Sequence, residues 1–190
     1  MLEPLQLLAN IKINGESAAK PRSRKVQRLT NIKKRIMNLA KQDIVILIGL
    51  LLGNGYIDPY GKIYVKHCEK QKEYCKYKAK LLHTVCGGKD IKIIETILNG
   101  NRKYEIKKQS KHFKQIRKLL YTEGRKTITP EVLNYLTPLS ISLWWMDDGN
   151  LVRKKQKDGS PGPYMLRFYT YLSKEENELI RKYFLDNYSM

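Results

Sequence analysis

Two short, almost wholly apolar runs stand out along this chain, and each leads into a polar residue followed by glycine. The first covers residues 44–53 and leads into Asn54-Gly55, and the second covers residues 141–146 and leads into Asp147-Asp148-Gly149. Because apolar positions follow one another without alternation, both runs favour a buried helix over a half-buried strand. The first run has half of the roughly 20 apolar residues that a membrane-spanning helix needs. We therefore predict two short core helices with polar side chains at their C-terminal tips.

Alternation and helical spacing predict the other elements. In residues 62–68, basic and aromatic residues alternate with Ile63 and Val65, which indicates a half-buried strand. Asn99-Gly100 separates two further strand-like stretches, and this dipeptide is a strong hairpin signal. Ser173 with Glu176 three residues later forms a capping box, which predicts that a helix begins at residue 174. The remaining predictions are helices at 70–85, 111–121, 132–135 and 174–188, and strands at 91–98, 102–108, 151–155 and 164–171.

The order of these elements suggests a repeat. We expect a basic extension over residues 1–42, a first half over 43–122, a connector over 123–137 and a second half over 138–190. The first half reads helix, strand, helix, hairpin, helix. The second reads helix, strand, strand, helix, which is a shorter copy of the same order.

The net charge of the chain indicates which class of partner it binds. Lysine and arginine number 37 against 18 aspartate and glutamate, so the formal net charge is +19. Such an excess costs stability through self-repulsion unless a polyanion compensates it. This favours nucleic acid as the partner, with an anionic membrane surface or a merely solvated surface as the alternatives. The dense basic stretch over residues 20–35 reads as a DNA-contacting or solvated arm, or as a transit peptide.

The cysteines carry little chemistry. Cys68, Cys75 and Cys86 are odd in number and form no CxxC, so neither a disulfide framework nor a zinc site is signalled. His67 beside Cys68 suggests a metal pair, but strand alternation explains the same dipeptide. Free cysteines are typical of a reducing compartment. Residues 1–13 lack the charged-then-apolar order of a secretory signal, so we expect a protein that is not secreted.

The two apolar helices suggest a shared site. Gly49 and Gly53 lie four residues apart and give the first helix a smooth face, with Ser142 as a partial counterpart in the second. Packing along these faces would bring Asn54 and Asp148 together. Oxygen ligands at such a point can hold Mg²⁺, which can activate water and stabilise the oxygens of a phosphodiester displacement. Taken alone, each run is typical of an ordinary core helix with a polar cap. Two copies of it in so basic a chain favour a shared functional site.

These runs resemble the LAGLIDADG motif, and residues 44–188 resemble the two-motif, monomeric branch of the LAGLIDADG homing endonucleases. The most specific segments are residues 125–128, 134–140 and 145–149. The resemblance implies an α+β fold of two αββαββα halves, whose antiparallel sheets form a saddle over DNA. It also implies Mg²⁺-dependent hydrolysis of both strands of double-stranded DNA at a long specific site, as in the homing of introns or inteins.

The resemblance assigns roles to individual residues. The metal-binding carboxylate of the second motif falls on Asp148, and the matching position of the first motif is Asn54. Lys126 falls where the family has a basic residue that acts on water or on the charge of the transition state. The expected catalytic residues are therefore Asp148, Asn54 and Lys126, with Asp148 and Asn54 as the ligands of Mg²⁺. Asp147 falls on a variable family position and is expected only to cap its helix.

Strand alternation selects the side chains expected to contact DNA. Lysine and arginine contact phosphates or guanine edges, and two-stranded ribbons fit the major groove. Each residue alone fits a solvated face equally well, so the set is more informative than any member. The predicted DNA-binding residues are Lys62, Tyr64, Lys66, Lys103, Lys107, Arg153, Lys155, Arg167 and Tyr169.

Two departures from the family pattern shape the functional hypothesis. Asn54 is neutral, so we expect weaker Mg²⁺ binding and impaired cleavage of at least one strand. The family's second half would continue with another hairpin and helix, so we expect an incomplete second half with an exposed sheet edge. The leading hypothesis is a homing endonuclease. The alternatives are a DNA- or RNA-binding relative that does not cut, such as an intron maturase or regulator, and a truncated relic.

The leading hypothesis also predicts partners and compartment. We expect double-stranded DNA as the partner, no membrane and no small-molecule substrate. We expect a monomer, or a dimer if the second half is incomplete. The resemblance implies a mitochondrion or chloroplast, or the cytoplasm of a bacterium or phage.

Overall fold

A computed structural model of the protein describes residues 39–189. The predicted basic extension therefore lies, up to residue 38, outside the described residues. The helices are α1 (Lys41–Leu52), α2 (Lys72–Val85), α3 (Lys111–Leu120), α4 (Pro130–Leu133), α5 (Pro138–Asp148) and α6 (Lys174–Tyr188), with a 3₁₀ turn at Glu69–Gln71. The strands are β1 (Gly55–Ile57), β2 (Lys62–Cys68), β3 (Ile93–Leu98), β4 (Asn101–Gln109), β5 (Tyr121–Thr122), β6 (Arg125–Lys126), β7 (Gly149–Lys155) and β8 (Pro161–Phe168).

Helix α1 lies at the centre of the core. Every residue from Ile44 to Leu52 is buried, and Leu47, Ile48, Leu50 and Leu51 have no exposed surface. A helix that is apolar on all sides is stable only when it is buried on all sides, which explains the absence of polar alternation in this run. The predicted buried helix is confirmed. Among residues 39–189, no helix is both long enough and apolar enough to span a bilayer.

The first half has the order αββαββα, from α1 to α3. Its four antiparallel strands are arranged β1-β2-β4-β3. Asn99 and Gly100 connect β3 to β4 with φ values of 50° and 75°. Positive φ at both positions is the geometry of a type I′ turn, whose twist matches that of the flanking strands. The hairpin predicted from this dipeptide is confirmed.

The two faces of this sheet differ in chemistry. Ile63, Val65 and Ile106 lie on the face that packs into the core and have no exposed surface. The register pairs Tyr64 with Lys107 and Lys66 with Glu105, which places these four residues on the opposite face. The half-buried strand predicted over residues 62–68 is confirmed, with its basic and aromatic side chains directed away from the core.

The second half has the order αββα, from α5 to α6. Helix α5 begins three residues before the predicted start, because Thr137 and Ser140 form a capping box and Pro138 occupies the first turn. Its last residue is followed directly by β7, which pairs with β8. Phe168, at the end of β8, packs between Trp144 and Phe184, with ring centroids 4.9 Å and 6.0 Å away.

A short hairpin that the sequence did not predict lies where the first half meets the connector. Strands β5 and β6 pair around Glu123 and Gly124, whose φ values are 52° and 81°. The hairpin is fixed to α6 by Glu176, which receives hydrogen bonds from the guanidinium of Arg125 at 2.7 Å and from the N–H of Ile128 at 2.9 Å. Lys126 is thereby held in a defined position at the edge of the core.

Candidate active site

The helices α1 and α5 approach each other closely along small residues. A Cβ added to Gly49 would lie 2.7 Å from the Cα of Ser140, and one added to Gly53 would overlap the side chain of Asp147. The predicted counterpart of these glycines is wrong, because Ser142 is exposed and donates a hydrogen bond to the carbonyl of Pro138. Ser140, which is fully buried, is the residue that lies against Gly49. The close packing brings the C-terminal tips of both helices together.

Asp147 has a larger role than the helix cap expected from the sequence, so that expectation is wrong. Its side chain has no exposed surface, and both of its carboxylate oxygens lie 2.6 Å from the Nζ of Lys78. One of these oxygens also accepts a hydrogen bond from the backbone N–H of Asn54 at 2.9 Å. Asp147 therefore connects α2, α5 and the tip of α1 at one point.

Asp148, Asn54 and Lys126 all line one pocket of about 370 Å³. It lies at the tips of α1 and α5 and is bordered by the connector and by the segment after β8. The side chain of Asn54 is exposed to solvent there. The structure thus brings together the three residues that the sequence selected as catalytic. The other lining residues are Leu52, Gly53, Gly55, Tyr56, Arg125, Thr127, Thr170, Tyr171 and Leu172.

The ionisable groups of this pocket are perturbed by burial and by one another. Burial and the negative charge of Asp147 raise the pKa of Asp148, while the ammonium of Lys126 opposes this rise. Burial lowers the pKa of Lys126 to about 8, against the attraction of the carboxylates of Asp148 and Asp147. The Nζ of Lys126 donates a hydrogen bond to the carbonyl of Gly53 at 2.7 Å. Lys126 can therefore change its protonation state near neutral pH.

The outer face of the first sheet carries five of the nine residues predicted to bind DNA. The register places Lys62, Tyr64 and Lys66 on one face of β2, beside Lys103 and Lys107 of β4. This basic face is defined here as those five residues. Glu105 lies among them, 3.3 Å from Lys66 and 2.6 Å from Lys107.

The sequence missed an aromatic residue on this face. Tyr56 pairs with Tyr64 across β1 and β2, and their ring centroids lie 6.1 Å apart. Together with Asn54 and Lys66, these tyrosines line a second open pocket of about 390 Å³. Tyr56 was missed because β1 is only three residues long, too short to show alternation in the sequence. The guanidinium of Arg117 lies 6.0 Å from the centre of the Tyr56 ring.

The four predicted DNA contacts of the second half do not form one surface. The pairing of Asn150 with Arg167 and of Arg153 with Tyr164 places the two arginines on opposite faces of the β7–β8 sheet. Arg153 shares the face of Phe168, stacks 4.9 Å from the ring of Tyr164 and donates to the carbonyl of Gly162. Strand alternation alone did not give this register, and contact of each arginine with DNA stays a prediction.

The other two contacts lie at the ends of these strands. Lys155 is exposed and pairs with Pro161 beyond a register shift. Tyr169 is exposed, and its N–H donates to the carbonyl of Asp148 at 3.0 Å. Tyr169 therefore lies next to the pocket. It is two residues from Arg167, so strand alternation places the two side chains on the same side.

A sequence profile of the LAGLIDADG DNA endonuclease family matches residues 44–190. The chain belongs to this family. The match spans both motif helices, the pocket between them and the basic face, so the family signature and the site geometry coincide.

Known proteins resemble this LAGLIDADG chain in structure or in sequence. The homing endonuclease I-WcaI, solved bound to its DNA recognition sequence, superposes with a TM-score of 0.62 and 21% identity, covering 91% of this chain and 77% of that one. The expected α+β LAGLIDADG fold is confirmed by this likeness. Segments of RecA proteins match at 24% identity in Mycobacterium shimoidei and 27% in Mycolicibacterium chitae. These matches cover 62% of this chain and 28% of each relative, so the chain spans little more than a quarter of their length.

The tips of the two apolar helices bring different side chains to the pocket. Helix α1 leads into Asn54-Gly55 and helix α5 ends at Asp148 before Gly149, so one tip presents an amide and the other a carboxylate. The preceding positions are Gly53 and Asp147, which contact each other. The two halves therefore deliver unequal chemistry to one pocket.

Proposed function

We propose that this chain is a site-specific DNA endonuclease of the homing type, which hydrolyses phosphodiester bonds of double-stranded DNA with Mg²⁺. The observation that carries the proposal is the convergence of Asp148, Lys126 and Asn54 on one pocket. We assign the halves to residues 43–122 and 138–190, joined by a connector over 123–137. A homing role would place the protein in a mitochondrion or chloroplast, or in the cytoplasm of a bacterium or phage.

The oxygen donors of the pocket suit Mg²⁺. This ion binds proteins through one or two carboxylates and completes its shell with water and substrate phosphates. Asp148 supplies one carboxylate, and the amide oxygen of Asn54 supplies a weaker neutral donor. Within residues 39–189 there is no cluster of three or more histidine, cysteine, aspartate or glutamate residues that could hold a metal alone. A site with one carboxylate therefore depends on DNA phosphates to complete it.

The chain's own residues divide the work of hydrolysis. When bound, Mg²⁺ would lower the pKa of the attacking water and neutralise charge on the phosphate. Asp148 would hold the ion and orient that water. Lys126, with a pKa of about 8, is able to exchange a proton or stabilise the developing negative charge. Asn54 cannot neutralise the ion, so cleavage of one strand is expected to be slower than cleavage of the other.

The surface beside the pocket suits duplex DNA. Tyr56 lines the pocket and pairs with Tyr64 of the basic face, which extends to Lys103 and Lys107. Basic side chains on a strand ribbon can contact phosphates and base edges in the major groove. With a net charge of +19, binding should weaken steeply as salt rises, because each neutralised phosphate releases counterions.

A second candidate function rests on Asn54 itself. An amide at the tip of the first motif is the observation that favours a DNA- or RNA-binding relative which does not cut, such as an intron maturase or regulator. Binding would then use the same basic face without hydrolysis. The two functions differ in whether bound DNA is cut when Mg²⁺ is present.

A selection followed by a cleavage assay separates these candidates. Duplexes bound from a random-sequence pool are cloned into a supercoiled plasmid and incubated with the protein and Mg²⁺, with EDTA as the control. Linear or nicked plasmid supports the endonuclease, and nicking alone supports unequal cleavage of the strands. If both the wild type and Asn54→Asp leave the bound site intact, the endonuclease proposal fails. Asp148→Asn is the matched inactive variant.

A further inference from the structure

A buried ion pair joins α2 to α5 at the residue that precedes Asp148 of the pocket. The ammonium of Lys78, on α2, lies 2.6 Å from both oxygens of Asp147, on α5. Neither side chain has any exposed surface. A charge so deeply buried is tolerated only when it is paired and hydrogen-bonded. Each of these two side chains therefore needs the other in the folded protein, which distinguishes this pair from the exposed ion pairs of the surface.

Among residues 39–189, Asp147 supplies the carboxylate that contacts the ammonium of Lys78. The ring of Tyr74 lies 4.4 Å from the Nζ of Lys78, and its hydroxyl donates to the carbonyl of Leu143 at 3.0 Å. His67 is also buried nearby, and burial together with the charge of Lys78 lowers its pKa. A neutral histidine and a tyrosine do not compete with Asp147 for the ammonium.

Asp147 also holds the backbone of the first motif tip. Its carboxylate accepts the N–H of Asn54 at 2.9 Å, and its side chain fills the space beside Gly53. Lys126 donates a hydrogen bond to the carbonyl of Gly53 at 2.7 Å. The backbone of residues 53 and 54 is thus bonded to two charged side chains. Asn54 has an exposed side chain but an anchored backbone.

The same contacts determine which of the two adjacent carboxylates, Asp147 or Asp148, is available in the pocket. Asp147 receives three short hydrogen bonds, so its oxygens are occupied and its negative charge is balanced by Lys78. Asp148, the next residue, lines the pocket. Without Lys78, two adjacent carboxylates would repel each other at this tip.

We propose that Lys78 and Asp147 are a positioning pair, which fixes the backbone of Asn54 at the pocket and leaves Asp148 as the only carboxylate of the two that is available there. The structural part of this proposal depends on the fold alone. Its catalytic consequence rests on the proposed endonuclease function.

The amide of Asn54 reports on the structural part. In the wild type, NMR hydrogen exchange of this amide should be slowed by at least about tenfold relative to an unbonded amide, although the side chain is exposed. Lys78→Met should remove most of that protection. The matched control is Lys76→Met, which removes a lysine of the same helix from an exposed pair with Glu73. Amides of the central sheet, such as that of Ile63, report whether each variant is folded.

A double variant covers the case in which Lys78→Met does not fold. Lys78→Met/Asp147→Asn removes both charges and keeps an oxygen that can accept the N–H of Asn54. It should fold and keep the Asn54 amide within about threefold of its wild-type exchange rate. The proposal is overturned if the wild-type amide exchanges without protection, if a folded Lys78→Met matches Lys76→Met, or if the double variant is no better folded than an unfolded Lys78→Met.

Cleavage kinetics test the catalytic part separately. Lys78 has no exposed surface, so Lys78→Met should leave DNA affinity within about threefold while slowing single-turnover cutting by at least about tenfold. Equal losses of affinity and rate would contradict a positioning role. If the wild type does not cut, the proposed function fails, but the exchange of the Asn54 amide still decides whether the pair positions the motif tip.

Discussion

The Nζ of Lys126 donates a hydrogen bond to the carbonyl oxygen of Gly53 at 2.7 Å, across 73 residues of sequence. This contact places a partly desolvated ammonium at the end of α1, where a helix presents unpaired carbonyls and a negative dipole. The connector is thereby attached to the first motif, and the ammonium lies beside Asp148. A role for Lys126 in cutting can therefore be tested separately from DNA binding.

Replacing Lys126 with methionine should slow DNA cutting by about a hundredfold or more, because the proton transfer and charge stabilisation supplied by the amine are lost. DNA affinity should change by less than about threefold. Single-turnover rates and binding isotherms on the selected site measure both quantities. Lys118→Met, an exposed lysine of α3, is the control. A Lys126→Met protein that cuts within threefold of the wild type would remove Lys126 from the catalytic set.

Replacing Asn54 with aspartate should increase cutting of the slower strand by at least about tenfold, because a second carboxylate binds Mg²⁺ and neutralises its charge. The Mg²⁺ concentration for half-maximal cutting should fall. Strand-specific end labels measure each cut separately. Asn134→Asp adds the same charge at an exposed position of the connector and should change neither quantity. Equal strand rates in the wild type would show that the amide is not the limiting group.

The two arginines of the β7–β8 sheet should differ in DNA binding, because they lie on opposite faces. Arg167→Ala should weaken binding and reduce the slope of log affinity against log salt by about one. Arg153→Ala should leave that slope unchanged, since Arg153 stacks on Tyr164. Fluorescence anisotropy at several salt concentrations gives both slopes. The reverse ranking would assign the DNA-facing side to the face of Phe168.

Local rules predicted the elements whose causes lie within a few residues. Asn99-Gly100 and the capping box of Ser173 and Glu176 each act over one turn, and both were predicted with correct positions. The pocket residues Asn54, Asp148 and Lys126 were selected through the motif resemblance. The sequence could not show the contacts that hold them there, since Lys126 bonds to Gly53 across 73 residues and Asn54 bonds to Asp147 across 93.

The residues whose roles the sequence did not reveal owe those roles to tertiary contacts. Lys78 lies on the same helical stripe as Cys75, Ala79 and Leu82, all buried, and a lysine in such a stripe was a visible signal. Its partner lies 69 residues away, so only the folded chain identifies it. Strand alternation gave the faces of β2 and β4 but not the relative register of β7 and β8. Arg153 was grouped with Arg167 for that reason, although the register places them on opposite faces.

Close helix packing predicts a stability effect at Gly49. Gly49→Ala should destabilise the protein by about 1–3 kcal/mol, because the new methyl group would overlap the backbone of Ser140 and push the helices apart. This outweighs the gain in helix propensity that alanine normally brings. Urea denaturation midpoints measure the change. Ser142→Ala, on the exposed side of α5, should remain within about 0.5 kcal/mol of the wild type.

The lowered pKa of Glu176 predicts how the free energy of unfolding depends on pH. Burial would raise the pKa of Glu176, but the ion pair with Arg125 and the hydrogen bonds from the N–H groups of Ser173 and Ile128 lower it to about 2. The unfolded chain keeps the ordinary glutamate value of 4.5. A group whose pKa is lowered by folding stabilises the protein above its unfolded pKa. That contribution, roughly 3 kcal/mol, is lost as the pH falls from about 4.5 to about 2.

Comparison with Glu176→Gln isolates this contribution from the other carboxylates. At pH 7 the variant should be less stable than the wild type by about 2–4 kcal/mol, because Arg125 and two N–H groups lose a charged acceptor. The difference should shrink as the pH approaches 2, since protonated Glu176 then resembles glutamine. Urea titrations at pH 7, 5, 4 and 3 measure it. A difference that stays constant over this range would mean that the carboxylate of Glu176 is not held by the connector.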